Sequence, residues 1–231
     1  RDLPHHHQQV AIDGPAAAGK STVARLVAQR LNGVYINTGD MYRTVTWLAL
    51  RQGIDPGKEP GRLTGLLGGI DLDYELDTAG DPVLLLNGEP VSQDAIRAPG
   101  VAANVSIVAS HPEVRNWLVE RQRRTRRLGR IVMEGRDIGT VIFPDAAHKF
   151  FLTATPRVRA QRRLAQDGET PDGATVESVA ADIAARDELD RTRAVAPLRR
   201  AEGAVVIDSS RMSLEEVVDT IVDRVKKAAP A

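Results

Sequence analysis

Eight consecutive residues near the start of the chain have the spacing of a phosphate-binding loop. The run Gly14-Pro15-Ala16-Ala17-Ala18-Gly19-Lys20-Ser21 matches G-x-x-x-x-G-K-[ST]. Glycines allow positive φ angles and let backbone N–H groups converge on an anion without a side-chain clash. The run follows a short apolar stretch and precedes a helical pattern, so a helix N-terminus adds unpaired donors and partial positive charge. We therefore predict a binding site for a nucleoside triphosphate.

The side chains of this loop suit ATP together with Mg²⁺. Lys20 can bridge β- and γ-phosphate oxygens, the Ser21 hydroxyl can ligate Mg²⁺, and Thr22 can add a hydroxyl toward the α-phosphate. The predicted ATP-binding set is Gly14, Pro15, Ala16, Ala17, Ala18, Gly19, Lys20, Ser21 and Thr22. The motif alone does not distinguish switches, motors and kinases. A guanine-reading Asn-Lys-x-Asp element is absent from the sequence, which argues against a switch.

Arginines occur beside polar, turn-like residues in four separate parts of the chain. These parts are 37–43, Arg115, 134–140 and 186–193. Arginine presents a rigid fork of donors that matches phosphate and carboxylate groups. On a helix, Arg186, Asp190 and Arg193 would share one face, because they are four and three residues apart. A small-molecule kinase needs such arginines to hold a second set of phosphates.

Four short motifs follow one another along the chain. They are Ile12-Asp13-Gly14-Pro15, Thr38-Gly39-x-x-Tyr42-Arg43, Gly135-Arg136-Asp137-Ile138-Gly139-Thr140 and Asp190-Arg191-x-Arg193-Ala194-Val195-Ala196-Pro197. Together they resemble the bacterial cytidylate kinases, over about residues 10–227. The resemblance implies an α/β P-loop nucleoside-monophosphate kinase: a five-stranded parallel sheet flanked by helices, with a small antiparallel monophosphate-binding insertion and a lid. It also implies γ-phosphoryl transfer from ATP to CMP or dCMP, with Mg²⁺.

The resemblance assigns three groups of residues to CMP. The residues that read cytosine are Ser106, Arg115 and Asp137. The clamp on the CMP phosphate consists of Arg43, Arg136 and Arg193. The contacts to the sugar hydroxyls come from Arg186 and Asp190, with Thr38 nearby. The residues expected to act in catalysis are Lys20, Arg43, Arg136, Arg186 and Arg193.

The hydrogen-bonding edge of cytosine suits the first group. Asp137 can accept from the exocyclic amino group, while Arg115 and Ser106 can donate to N3 and O2. Uracil reverses the pattern at N3 and at position 4, so buried polar groups left unpaired would discriminate strongly against it. Two plainer alternatives stay open. Arg115 and Asp137 could be a structural ion pair, and Arg186 with Asp190 could be an ordinary surface pair.

Two other functions are compatible with the sequence. One is a P-loop kinase acting on another nucleoside monophosphate, such as UMP, or on a small metabolite. The other is a nucleotide-dependent nucleic-acid-binding module, whose contact surface would be the basic run Arg123, Arg124, Arg126 and Arg127. A net charge of zero and an aromatic content of 3% argue against it. We interpret that run as a solvated face, and expect no nucleic-acid partner.

Short apolar runs that alternate with longer helical ones predict a parallel sheet with helical crossovers. Strands are predicted at 10–12, 34–36, 131–133, 149–152 and 204–207. Helices are predicted at 20–30, 41–52, 62–68, 110–127, 156–166 and 176–192. Two further helices are predicted to begin at about 94 and at 213. Alternation within 70–91, with an Asn87-Gly88 turn, predicts about three antiparallel strands. Ser110-x-x-Glu113 and Ser213-x-x-Glu216 predict two capping boxes.

A chain of 231 residues suits a single α/β domain with an insertion. We predict one kinase domain over 10–231, with a core of 10–61, 110–164 and 193–231. The monophosphate-binding insertion is placed at about 62–109 and the lid at about 165–192. Arg159, Arg162 and Arg163 border that lid, and the sequence does not show which of them reaches the phosphates.

Residues 1–9, with three consecutive histidines, are predicted to be a disordered or artificial leader rather than a metal site. The chain has no cysteine and no apolar run of membrane-spanning length. We therefore expect a cytoplasmic protein without a membrane partner. Its partners are expected to be ATP, CMP and dCMP, and the resemblance favours a monomer.

Overall fold

Five parallel strands form the centre of the protein, which a computed structural model describes for residues 8–166, 168 and 170–228. The strands are β1 (Gln9–Asp13), β2 (Val34–Asn37), β6 (Ile131–Gly135), β7 (His148–Thr153) and β8 (Val205–Asp208). Their order is β2-β6-β1-β7-β8, which confirms the predicted fold class. Because β1 pairs with β6 on one side and β7 on the other, the loop after it leaves the middle of the sheet.

Helices flank both faces of this sheet. In the described part of the chain they are α1 (Lys20–Leu31), α2 (Thr38–Arg51), α3 (Pro60–Leu67), α4 (Gln93–Ile96), α5 (Pro99–Ser110), α6 (Pro112–Arg124), α7 (Pro156–Leu164), α8 (Val176–Thr192) and α9 (Leu214–Ala228). The predicted helix at 176–192 is confirmed at both ends. The predicted start at residue 41 is wrong, because β2 runs into α2 without a loop and Thr38 already lies in the first turn.

A second, smaller sheet occupies the predicted insertion. It is antiparallel, in the order β3 (Leu72–Leu76), β4 (Pro82–Leu86), β5 (Glu89–Pro90). Asn87 and Gly88 have φ angles of 53° and 82°, which suits the two-residue hairpin turn that their sequence predicts. The Tyr74 hydroxyl donates to the Asn37 carbonyl at 3.1 Å, so this sheet contacts the junction of β2 and α2.

One of the two predicted capping boxes is confirmed and the other is wrong. At α9, the Glu216 N–H donates to Ser213 Oγ at 3.1 Å, and the Ser213 N–H donates to Glu216 Oε2 at 2.7 Å. Ser110 instead ends α5, and its hydroxyl donates to the Ile107 carbonyl. Helical backbone angles are unfavourable for a residue that precedes a proline. Pro112 therefore breaks the helix at His111, and the Ser-x-x-Glu pattern does not predict this break.

The chain between β6 and β7 forms a π-helical turn, Ile138–Ile142, which the sequence did not predict. The Asp13 carboxylate, at the end of β1, accepts the N–H groups of Ile138 and Gly139, both at 2.8 Å. This buried carboxylate therefore joins the start of the phosphate loop to the segment that contains Asp137.

Apolar side chains on both faces of the sheet form the core. One apolar stripe of α9 belongs to this core, because Val218, Ile221 and Val222 are buried against α1 and the sheet. Gln9, predicted to belong to the leader, is instead a buried residue of β1. Residues 1–7 of that prediction lie outside the described residues. No described helix has both the length and the apolar character needed to cross a membrane.

Ser110 and Ser213 stand at the same position of the Ser-x-x-Glu pattern, but only Ser213 caps a helix. The two serines therefore give a matched test of the capping box. Replacing Ser213 by alanine should lower the free energy of unfolding by about 1 kcal/mol, since an N-cap acceptor is lost. Replacing Ser110 should cost less than about 0.5 kcal/mol, because it caps no helix. Urea unfolding followed by circular dichroism measures both. A loss at Ser110 equal to that at Ser213 would contradict this assignment.

Candidate active site

The loop between β1 and α1 has the backbone that an anion cradle requires. Gly19 precedes α1 with a φ of 87°, in the region that favours glycine. A Cβ atom at Gly14 would lie 2.0 Å from the Leu152 carbonyl oxygen, so the close approach of β7 demands glycine there. Lys20 is buried, and its Nζ donates to the Pro15 carbonyl oxygen at 2.7 Å. The Lys20 side chain is therefore held by the loop that precedes it.

The electrostatics of this loop favour the arrival of negative charge. Burial, and then the nearby positive charge of Arg136, lower the pKa of Lys20 to about 7. Burial also raises the pKa of Asp13 to about 7, although its two backbone N–H donors act in the opposite direction. An anion bound at the loop would favour the charged form of Lys20.

Oxygen atoms suited to Mg²⁺ lie beside the loop. The Ser21 hydroxyl donates to Glu134 Oε1 at 2.8 Å, and the Tyr35 hydroxyl donates to the same oxygen at 3.3 Å. Within the described residues, no group of three or more His, Cys, Asp and Glu side chains could hold a metal. Mg²⁺ at a nucleotide site commonly uses one or two protein oxygens, with phosphates and water supplying the rest. Ser21 and Glu134 therefore fit this ion.

One pocket at the carboxyl edge of the sheet joins the loop to the second predicted site. It is lined by six loop residues, Ala17, Ala18, Gly19, Lys20, Ser21 and Thr22. It is also lined by all nine residues predicted for CMP: Thr38, Arg43, Ser106, Arg115, Arg136, Asp137, Arg186, Asp190 and Arg193. Gly14, Pro15 and Ala16 of the predicted ATP set are not among the lining residues. Residues of five helices, together with residues that follow β6 and α8, thus meet at one cavity.

Arg115 and Asp137 form a buried ion pair within this pocket. Arg115 Nη2 donates to Asp137 Oδ2 at 2.6 Å, and both side chains are at most 5% exposed. Arg115 Nη1 also donates to the Ala109 carbonyl, and the guanidinium lies 5.1 Å from the centre of the Tyr42 ring. The structural ion pair foreseen as an alternative does exist, and it lies in the pocket wall. Both partners are therefore placed where a ligand can meet them.

Asp190 is surrounded by arginines in the same pocket. Arg136 Nε donates to Asp190 Oδ2 at 2.8 Å, and Arg193 Nη1 donates to Oδ1 at 3.1 Å. Burial disfavours the Asp190 anion, but the charges of Arg136, Arg186 and Arg193 lower its pKa below the usual value. The interpretation of Asp190 and Arg186 as a surface pair is therefore wrong.

Positive charge remains in excess in this part of the pocket. Burial, and then the charge of Arg136, lower the pKa of Arg186 to about 9, so that it is still protonated at neutral pH. Arg186 Nε and Arg193 Nη2 are buried and have no hydrogen-bond partner among the described residues. Unpaired buried donors of this kind are costly unless a ligand accepts from them. The wall is suited to an anion.

The three arginines that border the predicted lid have different surroundings. Arg163 lines the pocket. Arg162 instead donates to the Ala18 carbonyl at 3.2 Å and to Ser209. Arg159 is buried in an ion pair with Asp187. Of the three, Arg163 is the one placed to meet a phosphate in this structure.

The basic run at the end of α6 and in the turn that follows it is only in part a solvated face. Arg123 donates to the carbonyls of Val141 and Ile142, at 2.9 and 3.1 Å. Arg127 and Arg124 form ion pairs with the small sheet, through Glu75 and Asp73 respectively. These arginines are half-exposed and connect the chain segment after α6 to its neighbours.

Two pocket residues have roles that the sequence analysis did not assign. Arg97, after α4, lines the pocket, and its Nη2 donates to the buried Asp40 at 2.9 Å. It belongs to none of the recognised motifs, so the sequence carries no signal for it. Tyr42 stands inside a recognised motif, but only the structure shows its ring packed on Arg115.

Comparison with known proteins gives consistent matches. A sequence model of the family described as cytidylate kinase matches residues 10–227. A cytidylate kinase of Pelotomaculum thermopropionicum is 48% identical over 219 residues, 94% of this chain and 95% of that protein. The cytidylate kinase of Clostridium tetani is 45% identical over 212 residues, 92% of this chain and 91% of that protein.

Some relatives are longer proteins. A bifunctional pantoate ligase/cytidylate kinase of Prochlorococcus marinus is 46% identical over 225 residues. The match covers 96% of this chain but 45% of that protein. The chain therefore spans less than half the length of the bifunctional relatives it matches.

The lowered pKa of Lys20 predicts that triphosphate binding takes up protons. The phosphates of bound MgATP should restore the charged lysine, giving an uptake of about 0.9 proton at pH 8 and about 0.5 at pH 7. Isothermal titration with MgATP in two buffers of different ionisation enthalpy measures this number. The Lys20→Arg variant is the control, because arginine stays protonated and its uptake should be close to zero. An uptake below about 0.2 at pH 8 in the wild type would disprove the prediction.

Proposed function

The chain belongs to the cytidylate kinase family, and from this premise we propose that it transfers the γ-phosphoryl group of ATP to CMP or dCMP, giving ADP and CDP or dCDP. The observation that supports this most directly is the shared pocket, in which the phosphate loop faces an arginine-rich wall. A kinase must bring two anionic nucleotides together, and this cavity offers cations to both.

Phosphoryl transfer depends on positioning and charge neutralisation more than on covalent catalysis. The backbone N–H groups of the loop and Lys20 would hold the β- and γ-phosphates of ATP. Arg43, Arg136 and Arg193 would hold the phosphate of CMP in line with the γ-phosphorus. That acceptor is already ionised at neutral pH, so no general base is required.

The ion pair of Arg115 and Asp137 would read the base. A carboxylate accepts from the amino group of cytosine, and Arg115 and Ser106 donate to N3 and O2. In uracil, an oxygen would face the Asp137 carboxylate instead. Both side chains of the pair are buried, so that mismatch would be costly. We therefore favour CMP over the alternative acceptor UMP.

Mg²⁺ would be held by the Ser21 hydroxyl, with Glu134 beside it and phosphate oxygens completing the site. The bound ion supplies charge neutralisation at the transferring phosphates. The Glu134 carboxylate, which accepts hydrogen bonds from both Ser21 and Tyr35, would keep the serine hydroxyl oriented.

We assign the monophosphate-binding insertion to about 62–109 and the lid to about 165–192. The small sheet and α5, which carries Ser106, support the first assignment. Arg186 and Asp190 on α8 support the second, because they line the pocket from that segment. We also propose that the enzyme works as a monomer, since the residues predicted for CMP and six of those predicted for ATP already meet at one pocket within a single chain.

A coupled assay with CMP, dCMP, UMP and AMP tests the proposed substrate. We expect kcat/KM for CMP to exceed that for UMP by at least about a hundredfold. Asp137→Asn should reduce that ratio at least about tenfold, because the amide nitrogen can donate to the uracil oxygen. Asp223→Asn, on the exposed face of α9, is the matched control and should leave the ratio unchanged. Faster turnover of UMP or AMP by the wild type would reject the function.

Glu134 provides a test of the proposed metal site. Glu134→Gln should raise the Mg²⁺ concentration that gives half-maximal rate by about tenfold, since outer-sphere carboxylates support metal affinity. Glu134→Asp keeps the carboxylate and should shift that concentration far less. Titration of the initial rate with Mg²⁺ at saturating nucleotide measures both variants. Equal Mg²⁺ dependence in the Gln variant and the wild type would count against the assignment.

A further inference from the structure

Helices α7 and α8 contact the phosphate loop through a buried ion pair that the proposed reaction does not use. Arg159 Nη1 and Asp187 Oδ2 lie 2.5 Å apart, and each side chain is 9% exposed. The Ala16 N–H donates to Asp187 Oδ1 at 3.2 Å, and Arg159 Nη1 donates to the Ala16 carbonyl at 3.1 Å. Both backbone polar groups of one loop residue are therefore held by this pair.

Apolar contacts join Ala16 to the same two helices. Its methyl group is buried in a small apolar cluster with Ala160 of α7 and with Val179 and Ile183 of α8. Arg159 Nε donates to the Ala154 carbonyl at 3.1 Å, which orients the guanidinium toward the loop. The first half of the loop thus rests on two helices rather than on the sheet alone.

Helix α8 also contributes side chains to the proposed CMP site. Asp187 lies between Arg186 and Asp190, which line the wall of arginines. One turn of α8 therefore carries a contact to the phosphate loop and two side chains of the proposed CMP site. A rigid helix moves as a unit, so a displacement of α8 at the proposed CMP site also displaces its contact with the phosphate loop.

The energetics of such a pair point to positioning rather than to stability. Removing two charges from water costs about as much as their attraction returns, and apolar residues of similar volume often serve equally well. What an apolar pair cannot do is donate to the Ala16 carbonyl and accept from its N–H. The contribution specific to this pair is the fixed geometry of that peptide.

We propose that Asp187 and Arg159 are positioning residues for the phosphate loop: they hold Ala16 in the conformation that binds ATP, and they make ATP affinity depend on occupancy of the CMP site through α8. The inference rests on the proposed function for the identity of the two nucleotides. It adds a link between the two sites that the proposed reaction does not by itself include.

The double variant Arg159→Met/Asp187→Leu separates positioning from stability. It replaces the pair by apolar side chains, so the fold should be kept, with thermal melting as the check. Titration calorimetry then measures the Kd of a non-hydrolysable ATP analogue with and without CMP. In the wild type, CMP should tighten analogue binding about fivefold or more. In the double variant, the analogue should bind about tenfold more weakly, and CMP should no longer change its Kd.

Glu188→Gln is the matched control for this experiment. Glu188 follows Asp187 on the same helix and pairs with Arg191 at 2.8 Å, but both side chains are exposed. This variant should keep wild-type affinity and the wild-type effect of CMP. The CMP/UMP preference should be unchanged in both variants, because neither touches the residues that read the base.

The outcomes are distinct. A correctly folded double variant with wild-type affinity for the analogue would overturn the proposal. If affinity falls but the effect of CMP persists, the link between the sites is overturned. If the wild type binds the analogue but not CMP, the proposed function fails instead. In that case the Kd of the analogue, compared between the wild type and the double variant without CMP, still tests whether the pair positions the phosphate loop.

Discussion

The cations that line the pocket repel one another, and the fold has to hold them together against that repulsion. Lys20 is buried and Arg186 is partly buried, and burial followed by the charge of Arg136 lowers the pKa of each. Concentrating guanidinium and ammonium groups in one cavity is unfavourable unless anions arrive. The fold must therefore hold these groups close together before the compensating phosphates bind. The free protein carries this cost, and under the proposed function the binding of two nucleotides relieves it.

The sheet order makes that concentration possible. Strands β1, β2 and β6 are parallel neighbours, so their carboxyl ends deliver the phosphate loop, Thr38 and Arg136 to one edge. Carboxylates lie among these cations. Glu134 accepts from Ser21 at the loop, and Asp190 accepts from both Arg136 and Arg193. Asp13 joins the two halves by accepting backbone N–H groups from the turn after β6.

What the sequence predicted well is local in the chain. The phosphate loop, the Asn87-Gly88 hairpin and the Ser213 capping box each depend on residues a few positions apart, and the structure confirms their form. The Ser110 box fails because the break at His111 overrides a favourable pattern. The pair of Arg159 and Asp187 joins residues 28 positions apart across two helices. No spacing rule reports such a contact, because only the packing of α7 on α8 creates it.

Under the proposed function, cytosine recognition depends on the same balance between buried charges and their hydrogen-bond partners. A buried ion pair stabilises a fold little compared with apolar residues of its size, so Arg115 and Asp137 need another reason to be buried together. Within the described structure, the Nε of Arg115 is buried without a hydrogen-bond partner, although Asp137 neutralises the guanidinium. The pair is thus balanced in charge but not in hydrogen bonds. A base edge that supplies the missing partners gains from a site already oriented by Tyr42 and Ala109, and a mismatched edge must leave buried groups unpaired.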